Sequence, residues 1–279
     1  MGAFEHSGSL KIGSSIHGEV RVFKFFELEL RKGVALLTFN RPPVNAMSRE
    51  VYESLSRLID HVESSSEVRS VILAGSERSR AWIGGADLHE FLTLTPETRI
   101  ARHDYVESVV DKFYNISHPT IAAITNPAIG GGMVMASFCD IRIAAESAFF
   151  AMPEVDRSLT GGAGAYFNRL NMPVGFIREL IFTGRRFSAA ELQNVGFLNH
   201  VVPRGQVLAK ALEIGEIIAA KSMPAVQAIK RGANTIDAFG WDEGRATAHR
   251  ESARLVGTAD YRESLKAFLE RRKPNYSHD

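Results

Sequence analysis

The stretch "HPTIAAITNPAIGGGMVMASF", residues 118–138, reads as a buried strand, a loop, a glycine cluster and the start of an apolar helix. The same order occurs earlier in "VRSVILAGSERSRAWIGGADLHEFL", residues 68–92, where a short, almost continuous apolar run leads to a second glycine cluster and another helix start. A short apolar run of this kind suits a strand covered on both faces. Repetition of strand, Gly-rich turn and helix therefore predicts an α/β core of stacked, similar units.

The flanking sequence extends that reading. "FFELELRKGVALLTFN" (25–40) predicts a hairpin turning near Gly33, stopped by the prolines of "RPPVNAM". In "SREVYESLSRLIDHVESS" (48–65), Val51, Leu55, Leu58, Ile59 and Val62 share one helical face, without a capping box at Ser48. "CDIRIAA" and "AFFAMPEV" add strands, and from about Gly162 the pattern becomes mostly helical. The segment "HEFLTLTPETRIARHDYV" (89–106) reads as a loop. The divisions expected are a leader over 1–25, an α/β core over 26–205 and a helical region over 206–279.

Composition narrows the function classes. The chain has 279 residues, 45% hydrophobic and 23% charged, with a formal net charge of +1, as in ordinary globular proteins with a large core. Near-neutral charge with scattered Lys and Arg argues against electrostatically driven nucleic-acid binding. No apolar run approaches the roughly 20 residues that span a bilayer. The expectation is a protein without membrane or nucleic-acid partners. The single cysteine, Cys139, lies in an apolar stretch, which suits a core residue and a reducing, cytoplasmic setting. The nine histidines form no HxxxH or HExxH group, so no metal site and no redox cofactor are expected.

The glycine clusters have two physical readings. The first N–H groups of a helix lack intrahelical acceptors and carry partial positive charge. A missing Cβ lets a ligand oxygen approach them. The amides of Ala86 in "GGAD" and Gly131 in "GGG" could thus converge on one carbonyl oxygen and stabilise an enolate. Alternatively, each cluster is a tight turn with close helix packing. Neither is a phosphate loop, and "GGAG" (161–164) lacks the required glycine spacing.

Taken in order, "FNRPPVNAM" (39–47), "VILAGSERSRAWIGGADL" (71–88), the run from Pro119 to Val155, "FTGRRFSAAELQNVGFLNHVV" (182–202) and "FLERRKPNY" (268–276) resemble the enoyl-CoA hydratase/isomerase family, or crotonase superfamily. The resemblance covers about residues 26–276. It implies a crotonase-like spiral of repeated ββα units, a C-terminal helical region that helps form trimers or hexamers, and an acyl-CoA substrate. Coenzyme A would enter as part of that substrate.

Carried over by position, the oxyanion hole falls on the amides of Ala86 and Gly131, and the acid–base residue on Glu154. Gly84, Gly85, Asp87 and Leu88 become candidate CoA contacts, Asn45 and Ala46 flank the same groove, and Lys273 is a candidate for a CoA phosphate. Gly162 falls where family members offer an amide to water, Asp140 where the role looks structural, and Trp82 where a smaller aromatic is usual. Hydratases of the family carry a glutamate two positions after the glycine triplet. That position here is Val134, and with Met133 and Met135 it makes an apolar helix start suited to an acyl pocket.

Hydration needs a water activated at one carbon while a proton reaches the next, work well matched to two carboxylates. A single carboxylate can instead lift a proton from one carbon and return it to another. Glu154, in "FFAMPEV", is expected to have a raised pKa suited to such a shuttle. An isomerase-like proton shuttle is therefore favoured, with a hydratase, dehydratase or lyase, or a catalytically silent acyl-CoA-binding scaffold, as alternatives.

Overall fold

A computed structural model describes residues 20–168 and 170–278. The N-terminal half contains β1 (Val20–Phe23), β2 (Phe26–Arg31), β3 (Val34–Phe39), α1 (Arg49–Glu63), β4 (Ser70–Gly75), α2 (Leu88–Phe91), α3 (Pro96–Tyr114), β5 (Thr120–Ile124), β6 (Ala128–Ile129) and α4 (Gly131–Ser137). β7 (Ile141–Ala145), β8 (Phe149–Ala151), 3-10 turns at Pro153–Arg157 and Gly161–Gly164, α5 (Ala165–Asn168), α6 (Val174–Thr183), β9 (Phe187–Ser188), α7 (Ala189–Asn194) and β10 (His200–Val202) follow. α8 (Val207–Ala219), α9 (Met223–Phe239), α10 (Trp241–Leu255) and α11 (Ala259–Leu269) complete the chain.

The larger sheet has the order β1-β2-β3-β4-β5-β7-β10. The expected hairpin is present as β2 and β3, antiparallel with Arg31 opposite Val34, and Gly33 takes a φ of +82° at the turn. From β3 onward the pairings are parallel. The fully buried pattern of β5 explains its unbroken apolar run: both faces of that strand are covered.

A smaller sheet, β6-β8-β9, collects the second strand of successive units. β5 and β7 run in the large sheet, while β6 and β8 pair in parallel in the small one. Ile83 joins the same layer through an isolated bridge to Ala128, so the unit after β4 repeats the pattern in reduced form. This is the stacked ββα arrangement that the family resemblance implies, and it agrees with the stacked, similar units predicted from the repeated motif.

α1 buries Val51, Tyr52, Leu55, Leu58, Ile59 and Val62, and Ser48 makes no side-chain cap bond. α8 packs across β3, β4, β5 and β7, with Gly215 so close that an added Cβ would lie 3.1 Å from Val34. α9 is tied to the core by Lys230, whose Nζ donates to the His118 carbonyl at 2.9 Å and to Asp140 Oδ2 at 2.8 Å. Asp140 also accepts from the Thr120 amide and hydroxyl, so its role is structural, as expected.

Two expectations about segments need revision. Of the anticipated leader, residues 1–19 lie outside the described residues, but Val20–Phe23 form β1 against β2. The segment expected as a loop over 89–106 instead holds most of α2 and more than half of α3. α3 is hard to read because its apolar residues make no continuous stripe, and even Arg102 is among its buried positions. Its start is nonetheless encoded: Thr95 and Thr98 form a reciprocal capping box, with Pro96 at the first helical position.

Candidate active site

The two glycine clusters meet. A Cβ added to Gly85 would lie 3.0 Å from the Ile129 carbonyl oxygen and 3.7 Å from the Gly131 nitrogen, and one added to Gly131 would lie 3.7 Å from the Ala86 nitrogen. The packing reading accounts for part of the clusters. Gly84 and Gly132 serve close packing: added Cβ atoms would stand 2.6 Å from the Val44 carbonyl oxygen and 2.2 Å from that of Ile83. Gly85, Gly130 and Gly131 line a cleft. The N–H groups of Ala86 and Gly131 have no acceptor among the described residues, although their neighbours are bonded: Gly84 donates to Val44, Asp87 to Met47, and Gly130 to Ala151.

Glu154 enters this site from the first 3-10 turn. Its Oε1 would be 2.4 Å from a Cβ on Gly130, whose φ of +54° and ψ of −116° already require glycine. Gly161, also left-handed at φ +56°, lies beneath the same side chain: an added Cβ would be 3.1 Å from Glu154 Cγ and Cδ. Glu154 Oε2 is buried and has no hydrogen-bond partner. Burial pushes this carboxyl up from its usual range, against the pull of a backbone hydrogen bond and of Arg157. The site thus pairs unpartnered amide donors with a carboxylate biased toward holding a proton.

The cleft has a volume of about 220 Å³ and is lined by Gly84, Gly85, Ala86, Leu88, Gly131, Val134, Glu154 and Gly162 among the expected residues. Others fall elsewhere. Met133 is fully buried and does not line the cleft, because Gly131, Val134, Met135 and Phe138 form the cleft face of α4 and Met133 points into the core behind it. Trp82 is likewise a core residue, fully buried, with its indole N–H donating to the Leu73 carbonyl. Asp87 caps α2 by accepting from the His89 amide and pairs with Arg41 at 2.7 Å, so its side chain turns from the cleft. Lys273 is exposed beyond α11 and does not reach the cleft of its own chain. Asn45 is fully buried and does not line the cleft; its Nδ2 donates to the Phe39 and Trp82 carbonyls, joining the loops behind the glycines.

The opposite wall is absent from the motif reading. α1 contributes Tyr52, and α3 contributes Arg99, Arg102, Val106, Glu107, Val110 and Asp111. Only Tyr52 left a trace in the sequence, an aromatic with a polar tip on the otherwise apolar face of α1.

Comparisons with known proteins agree with this architecture. A family model described as enoyl-CoA hydratase/isomerase matches residues 29–279. The chain is 33% identical over 257 residues to the enoyl-CoA hydratase EchA19 of Mycobacterium tuberculosis, covering 90% of this chain and 96% of that protein. It is 31% identical over 249 residues to a short-chain-enoyl-CoA hydratase of Clostridium acetobutylicum, covering 88% and 95%. Among solved structures, an enoyl-CoA hydratase from Bacillus anthracis superimposes with a TM-score of 0.86 at 30% identity, covering 92% of this chain and all of the other.

Proposed function

The chain belongs to the enoyl-CoA hydratase/isomerase family, and from that premise we propose that it is an acyl-CoA enzyme in which Glu154 alone moves the proton. The thioester oxygen is taken up by the Ala86 and Gly131 amides. With a 3-enoyl thioester, Glu154 accepts a proton from C2, and the C–H electron pair enters the conjugated system as a dienolate held by the two donors. The same proton returns to C4, which leaves the double bond between C2 and C3 and the carboxylate restored. The observation that carries this reading is the buried, unpartnered Oε2 of Glu154 beside two unpartnered amides, with Val134 where a second acid would stand. The reading needs no metal or redox cofactor.

Hydration is the second reading. It is favoured by the hydratase names of the relatives and by the carboxylates of Glu107 and Asp111 on the facing wall. A paired assay separates the two: crotonyl-CoA hydration, followed as loss of enoyl thioester absorbance, against isomerisation of a 3-enoyl-CoA. We expect isomerisation to be the faster reaction and Val134→Glu to raise hydration relative to wild type. Robust crotonyl-CoA hydration by the wild type would refute the isomerase-like reading and mean that Glu154, with a water on Gly162 or another group, suffices for hydration. Glu154→Gln should lower turnover by about a hundredfold or more while thioester binding persists. Binding without turnover across a panel of acyl-CoA thioesters would instead indicate a scaffold.

We also infer a trimer or hexamer. The support is the exposure of Phe239, Trp241, Phe268 and Leu269 on the C-terminal helices, each at least 69% accessible in the single chain. The burial of Cys139 suits a reducing compartment such as the cytoplasm.

A further inference from the structure

Two phenol groups in the cleft have no part in the reaction above. Tyr52 is only 6% exposed, yet it lines the cleft, and its hydroxyl has no hydrogen-bond partner among the described residues. Tyr166, half-buried on α5, lines the same cleft, and its hydroxyl is also without a partner there. The Tyr166 ring is fixed by an edge contact with Phe138 at 5.6 Å and by Gly162, where an added Cβ would lie 2.4 Å from the ring. Around them the wall combines apolar Val106, Val110, Met135 and Phe138 with charged Arg102, Glu107 and Asp111, whose charges act on the two phenols.

Their place relative to the chemistry is given by α4. The cleft face of that helix runs from Gly131 through Val134 and Met135 to Phe138, about 10 Å at the rise of an α-helix. The tyrosine that rests on Phe138 therefore stands near the far end of this wall from the oxyanion amides, where the distal part of an acyl chain would run. Neither hydroxyl is sealed from the cleft, so each can bond to water while the site is empty, and the cost of an unpartnered hydroxyl, which phenylalanine would avoid, arises only when an occupant removes that water. A plain alkyl chain would strip any water from both hydroxyls and return nothing. A chain with an oxygen atom at that depth would satisfy them. Burial also keeps both phenols protonated, raising Tyr52 to about 12 and Tyr166 above its usual range, so each is available as a donor at neutral pH.

We propose that Tyr52 and Tyr166 form a hydroxyl-bearing end to the acyl pocket that selects acyl chains carrying an oxygen acceptor, a hydroxyl or oxo group, remote from the thioester. The inference rests on the acyl-CoA reading. Calorimetric titration of the wild-type protein with hexanoyl-, octanoyl- and decanoyl-CoA and with their ω-hydroxy counterparts tests it without requiring turnover. At the length that reaches the tyrosines, the hydroxylated thioester should bind at least about fivefold more tightly, the worth of one net hydrogen bond. Tyr52→Phe and Tyr166→Phe, which preserve ring packing, should each reduce that preference, and the double variant should abolish it while leaving alkyl-CoA affinity equal or higher. Equal or tighter binding of the alkyl member at every length, or a preference that survives the double variant, overturns the proposal. Failure of every thioester to bind the folded protein would remove the acyl-CoA reading itself, a result distinct from intact alkyl binding without discrimination.

Discussion

Glu154 owes its position to residues that have no side chain. Gly130 and Gly161 leave the space its carboxylate fills, and both take left-handed φ angles. Gly130→Ala would put a Cβ 2.4 Å from Oε1. It should displace the carboxylate and lower kcat by tenfold or more, with a stability loss of about 1–3 kcal/mol from the disfavoured backbone, read by urea denaturation. Glu154 itself has a pH signature. Because burial raises its pKa in the folded state, the folded protein holds the proton more tightly than the unfolded chain. The stability this contributes is full below the ordinary carboxylate range and is lost as pH rises through the raised folded pKa. Glu154→Gln, which cannot ionise, should thus be more stable than wild type at neutral pH, and the gap should close in acid. Thermal melts across pH would expose the opposite trend, and the acidic limb of kcat/KM should lie above the usual carboxylate range.

At the level of elements, the site depends on how closely two helix starts approach. Gly132 lies against the Ile83 carbonyl, so Gly132→Ala would force backbone against backbone and should destabilise the fold by about 1–3 kcal/mol or more. That clash is independent of Glu154. α3 forms the facing wall and depends on its start, where Thr95 accepts from the Thr98 amide and the Thr98 hydroxyl accepts from the Thr95 amide at 2.8 Å. Thr95→Ala should cost about 1 kcal/mol in chemical denaturation and loosen the wall that carries Val106 and Val110. An unchanged midpoint would mean that packing of Val109, Val110 and Phe113 alone holds this helix. The capping residues and Pro96 were visible in the sequence; the irregular apolar pattern after them hid the helix.

For the whole molecule, the open question is what covers the C-terminal helices. Phe268 and Leu269 are 81% and 80% exposed, side by side at the end of α11. If this face joins copies of the chain, Phe268→Glu with Leu269→Glu should shift the sedimentation coefficient of the assembly toward that of a monomer, with little change in helical content. A wild-type protein that already sediments as a monomer would remove that reading. No helix among the described residues is long and apolar enough to cross a membrane.

The order of strand, glycine turn and helix, repeated along the chain, determined the α/β architecture, because side-chain periodicity and chain punctuation are local properties. The motif likewise singled out Glu154, Ala86, Gly131 and Val134, all of which line the cleft. What only the tertiary structure decided is which neighbours of those residues face the cleft. Met133 and Trp82 turn into the core, set by the phase of α4 and by the bond from the Trp82 indole to Leu73. Tyr52 and the wall of α3 reach the cleft from distant parts of the chain. Contacts of that kind depend on how elements pack across the fold, and no local pattern of residues specifies them.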